Sequence, residues 1–270
     1  MLSDKSQQML SKRRLVALVI VSLVAVVYFA ELFCSSTSSP TGSKEVRMLG
    51  WLKKLVGRKK DFTAEEYERY NELKEHGLES VLGPMHNVVG HALIPFAVGG
   101  FVDMYYFCNA LEGTAFVTME LIEPDGTGPV ANSLGTYELI AATRKKYSIT
   151  PAGDHKGNHT DFEKIGNDVC GFLTCIGHYS RETKIEPGET CELPEKDGEI
   201  TYLLFDEYAT NEKPFKIGDR RHGLLLCIQI FKSECDFARQ NGGAALIAKL
   251  KEKGVYPYSD MDRKPVVTTP

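Results

Sequence analysis

The sequence holds no Walker lysine motif and no G-x-S-x-G elbow, so neither phosphate-loop chemistry nor an α/β-hydrolase serine is signalled. Zinc-ligand spacing is missing too. Cys170 and Cys175 are separated by four residues and no second pair follows, where structural zinc sites use closely spaced pairs. Tryptophan occurs once, at Trp51, and no internal repeat is found. Basic charge is scarce in the body of the chain. The formal net charge is −4, yet residues 1–47 carry six basic against three acidic side chains, which leaves −7 for residues 48–270. An acidic body excludes nucleic acid as the main partner, because phosphate binding needs a basic face. No cofactor is signalled.

Apolar content of 43% and charged content of 25% are those of a globular chain, which excludes disorder of the whole. The seven cysteines are an odd number, and Cys108 and Cys227 lie in apolar strand-like runs, where a reduced thiol packs as a small hydrophobe. The expectation is reduced thiols in a cytosolic domain, with no disulfide framework.

Four regions are expected. Residues 1–14 are a polar leader ending in Lys12-Arg13-Arg14, and residues 15–30 are sixteen uncharged, mostly apolar positions. Extended through Phe33, this segment reaches the short end of the spanning range, with Leu15, Ile20, Val24, Phe29 and Phe33 as membrane contacts. The alternative is a cleaved signal peptide, whose best cleavage site, near Cys34-Ser35-Ser36, is poor. A single-pass anchor at 15–33 is therefore predicted, with its orientation open because basic residues flank both sides. Residues 34–60 begin as a Ser/Thr/Pro/Gly linker and continue as a basic amphipathic segment. In it Trp51, Lys53 and Lys54 could lie on an anionic membrane surface or form a solvated leader. Met48 is an alternative start, which would make the protein cytoplasmic.

Residues 61–270 are expected to form an α+β domain: a mixed, largely antiparallel sheet with packed helices, preceded by the N-terminal hydrophobic helix. Thr63-Ala64-Glu65-Glu66 is a capping box, predicting a helix over 64–76 stopped by Gly77. Strands are predicted at 93–98, 102–108, 114–122 and Tyr137–Thr143. Between the last two, Pro124 to Pro129 is a dense cluster of turn formers. A period of 3.6 predicts a helix over 162–179, and strands follow at 183–193 and 201–208. The run 223–231 is apolar on both faces, as a buried central strand is. Ser233 is expected to cap a helix over 234–240, with a last helix over 244–253 ending at Gly254.

Gly126-x-Gly128-x-x-Ala131 has the outline of a dinucleotide fingerprint, but Pro129 leaves no room for the helix that a pyrophosphate requires. It reads as a loop. His86 and His91 lie five apart rather than four, which does not put them on one helical face. Asp154, His155, His159 and Asp161 could gather a cation, but they read as a solvated loop without a rigid support. Nothing pairs one thiol with one imidazole.

Four stretches carry a family pattern: 116–122 leading to Gly135-Thr136-Tyr137-Glu138-Leu139-Ile140; the helix at 162–179; the buried strand at 224–231 running into Ser233-Glu234; and Asn241-Gly242-Gly243 with its helix, closing on Tyr258-Ser259-Asp260-Met261-Asp262-Arg263. In that order they resemble the suppressor-of-fused (Sufu-like) family over roughly residues 80–265. Two departures are plain. GPMHNVVGHALIPFAVGG stands where the family has a proline- and tryptophan-bearing opening, and the animal protein's additional C-terminal region has no counterpart. The resemblance implies a non-enzymatic domain. Animal members sequester a transcription factor by direct contact, and microbial members resemble stand-alone binding modules, some acting as immunity proteins that neutralise toxins. An unidentified protein partner is expected, captured by strand addition to an open sheet. Tyr137, Glu138, Asp260, Met261, Asp262 and Arg263 are the candidate binding residues, with no catalytic or metal site. The alternative reading is a small hydrolase or a metal- or ligand-binding protein using His86 and His91.

Overall fold

A computed structural model describes residues 62–149, 160–194, 198–208 and 213–267. The chain enters through helix α1, Ala64–Leu82. The capping box forms as the sequence predicts: Thr63 Oγ1 accepts from the Glu66 amide at 3.2 Å, and Glu66 Oε2 accepts from the Thr63 amide at 2.9 Å. The helix does not stop at Gly77 but continues to Leu82. Gly77 is buried inside it, and any Cβ there would overlap the Lys216 carbonyl. This glycine allows close approach rather than termination.

Among the described residues the strands are β1 (Val89–Gly90), β2 (Met104–Phe107), β3 (Thr114–Val117), β4 (Tyr137–Thr143), β5 (Thr190–Pro194), β6 (Ile200–Glu207), β7 (Lys216–Ile217), β8 (Arg220–Arg221) and β9 (Gly223–Ile230). Seven form one sheet in the order β1-β2-β3-β4-β9-β6-β5, while β7 and β8 form a separate ribbon. Every neighbouring pair in the large sheet is antiparallel except β4 and β9, which run parallel from Tyr137 opposite Gly223 to Ile140 opposite Leu226. The mixed, largely antiparallel α+β architecture is thus as expected.

Helix α2 (Asp161–Ser180) covers one face of the sheet. It opens on a second capping box, Thr160 with Glu163. Helix α1, with α3 (Lys232–Asn241) and α4 (Gly243–Glu252), covers the other face. Side-chain alternation divides the strands between these layers. Tyr137, Leu139, Leu225 and Cys227 point to α2, while Ile140, Leu224, Leu226 and Ile228 point to α1, α3 and α4. That is why the run in β9 is apolar on both faces: it is the fifth of seven strands and Leu224 to Ile228 are all buried. Each large side chain so buried contributes about 1.5–3 kcal/mol.

The strand expected at 93–98 does not form. Residues 91–101 make a loop holding a 3-10 turn, Phe96–Val98, because Pro95 and Gly99-Gly100 interrupt strand pairing. Ser233 does not cap α3. Its hydroxyl donates to the Val267 carbonyl at 3.0 Å, and the Phe231 amide is taken by Glu234 Oε2 at 2.9 Å. Residues 124–129 are turns, as expected, with the Thr127 amide on Asp125 Oδ1 at 2.9 Å.

The single-pass localisation is corrected. Among the described residues no helix is long and apolar enough to cross a membrane. Even the 20-residue α2 carries Asp161, Glu163, Lys164 and Asp168. The predicted anchor at 15–33, with Leu15, Ile20, Val24, Phe29 and Phe33, lies outside the described residues, as do Trp51, Lys53 and Lys54.

Candidate functional site

The surface feature that stands out is built by the 91–101 loop and the first half of α2. The loop is pinned at several points. The Val98 and Gly100 amides donate to the Pro95 carbonyl, each at 3.1 Å. A Cβ at Gly100 would overlap the Ile94 carbonyl, so only glycine closes the turn. His178 Nε2 donates to the Gly100 carbonyl at 2.9 Å, and the Val102 amide donates to Thr174 Oγ1 at 3.1 Å. Phe96 is the plug. It is buried, stacks on the His178 ring at 4.2 Å between centroids, and has the Arg181 guanidinium 4.6 Å from its ring centre.

A loop so anchored would be expected to bury its other apolar residues too. It does not. Leu93 is 98% exposed, Val98 66% and Phe101 56%. Beside Leu93 and Phe101 lies a cavity of about 580 Å³ between the β1–β2 edge and α2, floored by Val102, Met104, Tyr106 and Phe162 and walled by Phe101 and Gly166. A largely apolar hollow of this size is typical of a binding site. The polar side chains at its rim include His91 and Glu163.

His91 Nδ1 lies 2.7 Å from Asp103 Oδ2, and Asp103 Oδ1 accepts from the Ala92 amide at 2.8 Å. The Asp103 amide in turn donates to Glu120 Oε2 at 2.7 Å. Burial pushes the Glu120 carboxyl up to about 7, against that hydrogen bond. Glu120 opens on the opposite side of the sheet edge, into a smaller hollow of about 310 Å³ shared with Tyr67, Glu75, Tyr105 and Glu123. Ile94 lines the apolar groove and its neighbour Pro95 lines this acidic hollow, so one loop separates the two.

His86 and His91 do not converge. His86 Nδ1 accepts from the Val88 amide at 3.1 Å and its ring lies 4.0 Å from that of Tyr147. Among the described residues no group of three or more His, Cys, Asp or Glu could hold a metal. Of the cation-loop candidates, Asp154, His155 and His159 lie outside the described residues, and Asp161 pairs with Lys164 at 3.2 Å.

The six candidate binding residues fall into two groups at opposite ends of β4. Tyr137 and Glu138 are fully buried. Glu138 accepts from Thr118 Oγ1 at 2.7 Å, from the Ile122 amide at 3.0 Å and from Lys74 Nζ at 3.1 Å. Lys74, itself buried, also donates to the Met119 and Ile122 carbonyls, each at 2.6 Å. The other group wedges β4 and β9 apart beyond their last paired residues. The Ser259 amide donates to the Ala142 carbonyl at 2.8 Å and Ser259 Oγ accepts from the Gln229 amide at 3.1 Å. Asp260 then accepts from Thr143 Oγ1 at 2.6 Å and from the Arg144 amide at 2.8 Å, and Asp262 pairs with Lys145 at 2.6 Å. Arg263 grips buried Glu234 through two bonds of 2.6 and 2.7 Å, while Met261 is half-buried.

The groove residues Leu93, Phe101 and Gly166 were not singled out by sequence reasoning. A usable signal lay in GHALIPFAVGG, where an apolar run is broken by Pro95 and Gly99-Gly100 and so cannot all be strand.

No protein-family model matches the chain, and no curated protein matches it. Among solved structures it is similar to the crystal structure of a SUFU (suppressor of fused protein) homologue from Neisseria gonorrhoeae FA 1090. The TM-score is 0.48 at 16% identity, over 75% of this chain and 100% of that one. It is also similar to the Sufu–Fu complex structure, with a TM-score of 0.47 at 14% identity, over 74% of this chain and 91% of that one. Both of these structures are of suppressor-of-fused proteins, the family that the sequence resembles.

Proposed function

We propose that residues 61–270 are a non-enzymatic, Sufu-like protein-binding domain that takes an apolar segment of a protein partner into the groove between the 91–101 loop and α2. The observation that carries this reading is the outward display of Leu93 and Phe101 on a tightly pinned loop, both lining an apolar hollow. Large exposed apolar side chains that cluster around a concavity mark an interaction surface rather than ordinary surface chemistry. Because the loop is already ordered by Phe96, His178 and Thr174, a partner would bury these side chains without the cost of ordering them. Strand addition along the short edge strand β1 fits the same place. Binding of this kind would act by holding the partner out of circulation, as a sequestering or immunity-type protein does. In this reading Tyr137, Glu138, Asp260, Met261, Asp262 and Arg263 belong to the frame of the sheet, and none of them lines the groove.

The test is affinity capture from the protein's own cell lysate with the full chain, run in parallel with Leu93→Asp and Phe101→Ser. Both positions are exposed, so folding should survive the changes. A partner recovered at near-equal stoichiometry by the parent chain and reduced about tenfold or more by either variant is expected. A partner retained equally by both variants would place the binding surface elsewhere and overturn the assignment.

A further inference from the structure

The groove sits in a field of one sign. Residues 61–270 carry 33 acidic and 21 basic side chains, a net −12. The imbalance is present around the groove itself. Glu163 is at its rim and Asp103 lies behind His91. Across the loop at Pro95 stand Glu75, Glu120 and Glu123, with the rings of Tyr67 and Tyr105 beside them. Helix α1, which supplies part of this wall, bears Glu65, Glu66, Glu68, Glu72, Glu75 and Glu79 against Arg69 and Lys74. The cations nearby are already committed. The Lys74 ammonium is saturated by two carbonyls and Glu138, Arg181 lies on Phe96, and Lys164 is paired with Asp161.

We infer that the segment taken by the groove is apolar and basic together: one or more large apolar side chains seated between Phe101 and Gly166, with lysine or arginine close by in the chain reaching the acidic wall beyond Pro95. This rests on the groove being a protein-docking site, and it adds the partner's chemistry. The acidic side chains are not a site in themselves. They decide which apolar segments are admitted, since a like charge brought against them is repelled while an opposite one is steered in. The tyrosine rings add a favourable face for a cation. An acidic-flanked segment of equal apolar content would be rejected by the same field, as would an anionic lipid surface.

The test uses a displayed library of random dodecapeptides selected on the immobilised full chain, in parallel on the parent protein and on Gly166→Leu. Gly166 lines the groove, and a Cβ there meets only the Phe116 ring, at an ordinary contact distance of 3.7 Å, so a larger side chain there takes up groove space. Phe101→Ser, at an exposed position, serves as a second groove variant should Gly166→Leu fail to fold. Peptides recovered on the parent and lost about tenfold on either groove variant are expected to carry a large apolar residue within a few positions of Lys or Arg. Their Lys and Arg are expected to outnumber Asp and Glu at least about twofold. At about pH 8, where the Glu120 carboxyl is largely ionised, the affinity of a representative peptide should fall about threefold or more in Glu75→Gln/Glu120→Gln, and fall again in about 0.5 M salt. Groove-dependent peptides without a basic excess, or unaffected by the double substitution, overturn this inference and leave the docking site standing. An absence of any groove-dependent peptide overturns both.

Discussion

Single residues carry two charges deep in this domain, and each makes a testable demand. The Lys74–Glu138 pair is almost wholly inaccessible, and around it the segment from Thr118 to Ile122 is tied down by backbone and hydroxyl donors and acceptors. Removing one charge leaves the other buried without its partner, which costs about 3–5 kcal/mol. Lys74→Met should therefore lower the free energy of urea unfolding by that amount, and Lys74→Met/Glu138→Leu should recover a large part of it. A double variant no more stable than the single one would contradict the pairing. Glu120 acts in the opposite sense. Its carboxyl is held up to about 7 in the fold, chiefly by burial, and returns to its ordinary range when unfolded. The native state thus holds a proton that the unfolded chain has lost, so stability falls as pH rises from about 4.5 to about 7. Because Glu120 is only partly buried, the effect is about 1–2 kcal/mol after discounting for solvent. Glu120→Gln should flatten this part of the pH profile and raise stability at pH 8. A profile unchanged by the substitution would exclude Glu120 as its source.

At the scale of elements, the three glycines of α2 separate three purposes that the sequence presents alike. Gly171 has nothing within 4 Å of a built Cβ, whereas at Gly177 a Cβ would come within 3.1 Å of the Phe96 ring and 3.2 Å of Leu121. Gly171→Ala should stabilise the protein by about 0.5–1 kcal/mol through helix propensity alone. Gly177→Ala should destabilise it by about 1–3 kcal/mol, because the Phe96 plug must shift, and should loosen the 91–101 loop in hydrogen exchange. Equal melting shifts of the same sign would contradict the packing described. The same contrast explains why periodicity located α2 to within one residue at each end, yet said nothing of the groove beside it. A 3.6-residue apolar stripe reports which face is buried, whereas the groove is defined by what a neighbouring loop leaves uncovered. Strand signals show the same limit. Tyr137–Thr143 and the run at 223–231 pair on both sides and were legible from residue type. The 93–98 run has similar apolar content but no partner strand on which to pair.

In the molecule as a whole, the chain's C-terminal segment closes the sheet where its one parallel pair parts. Ser259 and Asp260 occupy the space beyond Ile140 and Leu226, and Arg263 locks the segment to Glu234 at the start of α3. Arg263→Ala strands a fully buried carboxylate and should cost about 3–5 kcal/mol in a single cooperative transition. A small loss confined to local fraying near the chain end would show the clamp to be peripheral. By itself, the sequence determined the capping of α1, the extent of α2, strands β4 and β9, and the α+β class. Each of these follows from local hydrogen bonding or from an apolar period along one segment. Only the tertiary structure decided that Gly77 continues a helix, that Asp260 and Arg263 brace the sheet, and that Leu93 and Phe101 stand outside the core. Those outcomes depend on which distant backbone or side chain arrives opposite each residue, and no pattern within one segment carries that information.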